Sequence, residues 1–171
     1  DIDGSNFVGG ICGLSKSGST IENCTFSGTI IYNGAGFVGG ICGYNNGTIT
    51  KCHNTGDITA AGGAYAGGIC RYINETTVQD CTNEGNISSD YCAGGICASG
   101  YEGKIVGCTN SGAVHAVNSA SSYVGGTGGI CGAMTRGQIE VCENRGDVTG
   151  GDYVGGIYGY NSGTVNGDKF R

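Results

Sequence analysis

Eleven cysteines, fourteen acidic residues, ten tyrosines and two histidines are the side chains of this 171-residue chain that could carry chemistry. Ten of the cysteines fall into five pairs: Cys12 with Cys24, Cys42 with Cys52, Cys70 with Cys81, Cys97 with Cys108, and Cys131 with Cys142. Cys92 is left over. A sixth copy of the same pattern has Tyr158 and Asp168 at the two positions. Joint presence and joint absence is the outcome of a bridge within each unit, which leaves Cys92 as a free thiol. Two independent columns of reduced thiols remain the alternative, because buried cysteine packs as a small hydrophobe. Spacings of 10 to 12 residues without a Cys-x-x-Cys pair do not resemble a zinc site.

Catalytic pairings are sparse. A cysteine nucleophile needs an adjacent base, and His53 does neighbour Cys52, but it occupies a turn position where other copies carry Thr or Glu. His115 stands alone. Glycoside chemistry needs two carboxylates held on one face. Asp57 and Asp147 share a repeat position three units apart, which at about 4.8 Å per unit separates them by roughly 14 Å. That exceeds the ~9.5 Å upper end for an inverting pair. Asp80, Asp90 and Asp152 supply oxygen ligands of the kind calcium takes, without the fixed spacing of a calcium loop; no other cofactor is expected. Tyrosines are the better candidates for a binding role. Tyr44, Tyr72, Tyr101 and Tyr160, with Tyr32, fall in or near loops, and aromatic side chains anchor many interfaces. Four Asn-x-Ser/Thr sequons (Asn23, Asn46, Asn74, Asn86) are the chance yield of an Asn- and Thr-rich chain.

The elements that must position these residues are repeats. Glycine supplies 38 residues and proline and tryptophan none. Glycine at that level disfavours helices, at roughly 1 kcal/mol per interior residue. Copies begin at Phe7-Val8-Gly9-Gly10-Ile11-Cys12, Phe37-Val38-Gly39-Gly40-Ile41-Cys42, Tyr65-Ala66-Gly67-Gly68-Ile69-Cys70 and Cys92-Ala93-Gly94-Gly95-Ile96-Cys97. A fifth has the doubled approach Tyr123-Val124-Gly125-Gly126-Thr127-Gly128-Gly129-Ile130, and a sixth starts at Tyr153. The steps between first cysteine positions are 30, 28, 27, 34 and 27 residues, the longest holding a serine-rich insertion from Ala116 to Gly126. Repeat boundaries fall at about 7–36, 37–64, 65–91, 92–122, 123–152 and 153–171. Each unit offers three short apolar segments: Gly-Gly-Ile-Cys, Ile/Val-x-x-Cys, and a single anchor (Ile58, Ile87, Val114, Val148). No segment can bury its apolar side alone, whereas stacked copies bury a continuous core. The expected fold is therefore all-β: a right-handed parallel β-helix of about six coils with three strands per coil. Asn54, Asn83, Asn110 and Asn144 open Asn-x-Gly turns and would stack as an amide ladder. Strict alternation puts Ile11 and Cys12 on opposite faces, so a bend must lie near the cysteines.

The pattern aromatic-Val-Gly-Gly-aliphatic-x-Gly, followed by Cys-x-Asn-x-Gly-Asp-Ile, resembles the GLUG repeat of bacterial surface proteins. Its quartet appears as Gly10-Ile11-Cys12-Gly13, Gly40-Ile41-Cys42-Gly43, Gly129-Ile130-Cys131-Gly132 and Gly156-Ile157-Tyr158-Gly159. Arg71 and Ala98 break it in the third and fourth copies. The resemblance implies a location on the bacterial cell surface or outside it, as in adhesins and regions flanking IgA-type metallopeptidases. An acidic chain of net charge −6 without a basic cluster disfavours nucleic acid and anionic membranes. No apolar run approaches the roughly 20 residues of a membrane span. Asp1-Ile2-Asp3-Gly4 reads like the middle of something, so the chain is expected to be a piece of a longer protein. The expected function is a non-enzymatic stalk or adhesive ribbon that engages a host glycan, a host protein or another cell-surface component. A carbohydrate-active β-helix enzyme and an end-to-end self-assembling fibre subunit are the alternatives.

Overall fold

The computed structural model describes residues 6–117 and 125–171. The chain winds as a β-solenoid of six coils, all strands parallel, with no helix among the described residues. The first coil sets the pattern: β1 (Phe7–Gly9), β2 (Cys12–Ser15), β3 (Thr20–Glu22), β4 (Thr25–Phe26) and β5 (Ile30–Asn33). Each later coil repeats these strands above the last, giving four six-stranded sheets and, from β5, one five-stranded sheet. Five strands per coil replace the three expected. The additional breaks come from corners that the apolar pattern does not mark, at the paired glycines and at the cysteine preceding β4.

The first corner resolves the alternation problem. Gly40 and Ile41 bend between two strands, so Ile41 and Cys42 both point inward and are fully buried. Their two amides donate to one carbonyl, Ile69 O, in the next coil. The same fork recurs from Ile11 and Cys12 to Ile41, and on through Ile69, Ile96 and Ile130 to Ile157. These isoleucines therefore form one vertical line. Ile49, Val78, Ile105 and Ile139 make a second line, and Ile58, Ile87, Val114 and Val148 a third.

The glycine pair has two separate causes. A Cβ on the first, Gly39, would lie 2.1 Å from Cys42 O, because the chain turns tightly onto itself there. A Cβ on the second, Gly40, would strike Gly68 O at 2.2 Å and Asn54 Cγ at 2.7 Å. The second glycine thus makes room for the asparagine. Asn54, Asn83, Asn110 and Asn144 are essentially unexposed, and the Nδ2 of each of the first three donates to the next Oδ1 at 2.7 Å. Each also donates to the glycine carbonyl two residues on. Phe26 and Phe170 take this position in the first and sixth coils and close both ends of the ladder.

Register also corrects the fifth copy. Thr127 pairs with Ala93 and Val154, and Gly128 with Gly94 and Gly155. Thr127-Gly128-Gly129 therefore takes the place of Val-Gly-Gly, and Gly126 occupies the aromatic slot. Tyr123 and Val124, with most of the serine-rich insertion, lie outside the described residues.

Candidate binding face

Disulfide bridges would tie each coil across its interior, but the structure holds none. All eleven cysteines are free thiols, so the expected pairs 12–24, 42–52, 70–81, 97–108 and 131–142 are not formed. Each sulfur column runs along the axis instead, Cys12 over Cys42, Cys70, Cys97 and Cys131, and Cys24 over Cys52, Cys81, Cys108 and Cys142. The thiols find acceptors two residues away in their own coils: Cys42 Sγ donates to Tyr44 O at 3.3 Å, and Cys81 Sγ to Gln79 O at 3.2 Å. Asp168 explains the sixth coil without reference to Tyr158. Its Oδ1 accepts the Cys142 amide at 2.6 Å, where Cys81 Sγ accepts the Cys52 amide below. Burial pushes Cys42 and Cys92 up to about 12, and Cys70 and Cys131 well above the usual thiol range, which holds these groups protonated. Cys92 is wholly buried and donates to Ala98 O at 3.1 Å.

Alkylation of protein denatured without reductant is accordingly expected to label eleven thiols per chain. In the native state Cys12 and Cys24 should react first, since the other nine are buried. A mass two hydrogens short for each bridge would restore the paired reading.

The catalytic candidates bond to neighbouring coils rather than to one another. His53 lies against Thr82 Oγ1 and 3.7 Å from Glu84, while Cys52 Sγ donates to Thr50 O. His115 Nδ1 meets Thr149 Oγ1 at 2.8 Å on an exposed row. Asp57 accepts the Asn86 amide. Asp90 accepts the Gly62 amide at 2.7 Å and Asp80 bonds Gln79; Asp152 is exposed. No group of three or more His, Cys, Asp or Glu side chains converges among the described residues.

The tyrosines divide. Register places Tyr44 beside Tyr72, their rings stacked at 5.2 Å and 30°. The aromatic slots Phe7 and Phe37 lie on paired strands of the neighbouring sheet, 5.1 Å apart, and both rings approach Tyr44, at 5.5 and 5.6 Å. Tyr65 continues the slot and packs on Tyr91 at 4.9 Å. Tyr101 is elsewhere, its hydroxyl accepting from Arg136 at 3.2 Å. Tyr160 pairs with Tyr153 on the sixth coil. Tyr32 is buried in the core.

Sequence reasoning missed the centre of this strip. Arg71 extends across it with its guanidinium carbon 3.9 Å from the Phe37 ring centre, 4.2 Å from Tyr65 and 5.2 Å from Tyr72. Burial lowers its pKa from the usual arginine value, and burial raises the Tyr65 and Tyr72 phenols, so the rings stay neutral around a cation. The signal was present in the sequence, since Arg71 breaks the Gly-Ile-Cys-Gly quartet. It carried no meaning until register put three rings around it. At the next corner of the same three coils lies a polar cleft of about 420 Å³ lined by Lys16, Ser17, Asn46, Asn74 and Glu75.

Compared with known families, residues 4–31 and 34–59, within the first two coils, match the GLUG motif. No curated protein and no solved structure matches the chain.

Proposed function

We propose that this solenoid is a structural and adhesive repeat segment of a bacterial secreted or cell-surface protein, without catalytic activity, which presents the aromatic strip on coils one to three to a glycan or protein. One observation carries the reading: Phe7, Phe37, Tyr44, Tyr65 and Tyr72 gather on one side, half-exposed or exposed, on a backbone of stacked parallel strands. Rigid aromatics cost little entropy when they engage a partner and dominate interface energetics. The GLUG coils support the surface location through the resemblance alone. Burial of nine thiols fits an oxidising exterior, because access governs thiol oxidation.

Immobilised protein probed with a glycan array and with host-cell surface extracts tests the reading. Tyr44→Ala or Tyr72→Ala is expected to weaken any captured ligand about tenfold or more, at least ~1.4 kcal/mol. Asp57→Asn with Asp147→Asn should leave binding unchanged, and the wild type should release no new reducing ends from any glycan. Binding indifferent to both tyrosines, or glycan cleavage abolished by changing one of these acids, would sink the proposal.

A further inference from the structure

We infer that the strip is built for an acidic saccharide, its carboxylate bound by Arg71 and its sugar rings packed on the neighbouring aromatics. The inference rests on the binding role proposed above and names the ligand class. Its starting point is a half-buried cation with rings around it but no anionic partner among the described residues. Arg71 Nε is buried without a hydrogen-bond partner, and the side chain makes no ion pair among the described residues. The groups that bear most on it after burial are Tyr65, Cys92, Cys97 and Tyr72, none of them a carboxylate. Buried charges are normally paired, and this protein has fourteen acidic residues with which to do it. Gly13, Gly43, Ala98, Gly132 and Gly159 hold the equivalent place in the other coils, so the cation is a single insertion into a neutral column.

Arginine's planar fork matches a carboxylate through two parallel N–H···O bonds. The surrounding rings hold the guanidinium plane, which leaves the two Nη groups, bonded to nothing among the described residues, for a ligand. Aromatic rings recur about 5 Å apart along the axis, an apolar row beside the cation for the C–H groups of a saccharide. Asn46 and Asn74 add amide donors and acceptors for hydroxyls in the cleft at the next corner. An acidic peptide is less well served. Around Arg71 the strands of coils two and three are already paired on both sides, so no free edge lies beside the cation for main-chain pairing.

Three acidic oligosaccharides separate the outcomes: a galacturonate oligomer, a hyaluronan oligomer and a sialylated oligosaccharide, each alongside its carboxyl-esterified form. Titration calorimetry on the full chain should show binding of at least one acid, weakened tenfold or more by esterification. Arg71→Gln should reproduce that loss on the acid and leave the ester unaffected, and Arg71→Lys should recover only part of it. A thermal melt of each variant checks that the fold survives. If Arg71→Gln unfolds the coil, the acid-against-ester comparison on the wild type still decides. Equal binding of acid and ester, weakened by Tyr44→Ala, would overturn the inference and leave the adhesive reading standing. Capture of an acidic peptide with none of the saccharides bound would also overturn it. Binding of neither glycans nor proteins would remove both.

Discussion

Asn83→Ala is expected to cost about 3–5 kcal/mol of stability, several times what a surface substitution costs. Its side chain sits at the middle of the amide ladder, accepting from Asn54 at 2.7 Å and donating to Asn110 at 2.7 Å and Gly85 O at 2.8 Å. Removing it strands a donor on Asn54 and acceptors on Asn110 and Gly85, all in a space closed to solvent. Each stranded buried group costs about 1–3 kcal/mol, more than the bond itself contributes net. Asn144→Ala should cost about half as much, because that residue has a ladder neighbour on one side only, Phe170 being on the other. Urea unfolding of the two variants provides the measurement, read as a fall in midpoint at unchanged slope. A loss below about 1 kcal/mol for Asn83→Ala would mean that the ladder is not a unit of stability.

Gly68→Ala should be worse, with folding lost or weakened by more than about 4 kcal/mol. The new Cβ would lie 2.1 Å from Gly95 O and 2.5 Å from Asn83 Cγ. Neither atom can retreat, since the carbonyl belongs to the backbone of the next coil and the amide to the ladder. Gly18→Ala makes the contrast. Gly18 has a φ of +79° and nothing within 4 Å of an added methyl group, so only left-handed strain of about 1–2 kcal/mol applies. Circular dichroism and melting of the two alanine variants should rank them in that order. A folded, wild-type-like Gly68→Ala would show that coil spacing yields to a methyl group, against the packing described above.

Much of the architecture was legible along the chain because the repeat states each requirement six times. Gly-Gly-Ile-Cys, the Asn-x-Gly turns and the lone Ile or Val anchors recur in fixed order. Only coils stacked in register bury them all together, so the solenoid, the isoleucine line and the asparagine ladder follow from pattern and elementary sterics. Strand number did not follow. Apolar periodicity marks which residues turn inward, whereas the corner at Gly40-Ile41 is a backbone event, defined by two amides sharing Ile69 O. The fifth copy was ambiguous for a related reason: Tyr123 and Gly126 both fit the start of a Val-Gly-Gly pattern, and only hydrogen-bond register selects Thr127-Gly128-Gly129.

Paired occurrence of cysteines could not say in which direction sulfurs would meet. Separation along the chain within a coil is 10 to 12 residues, yet stacking brings residues 27 to 34 apart into adjacent rungs. A ladder and a set of bridges leave the same trace in sequence, and three dimensions distinguish them by the carbonyl each thiol reaches. The candidate binding face was hidden in the same way. Tyr44 and Tyr72 stand out by residue type, but Arg71 reads as a defect in a glycine quartet. Its role depends on rings from two coils, Phe37 from the second and Tyr65 and Tyr72 from the third. Sequence by itself determined what repeats, because burial and turn geometry act on every coil alike. Tertiary structure alone decided what is unique, because a residue that departs from the repeat takes its meaning from the neighbours that stacking supplies.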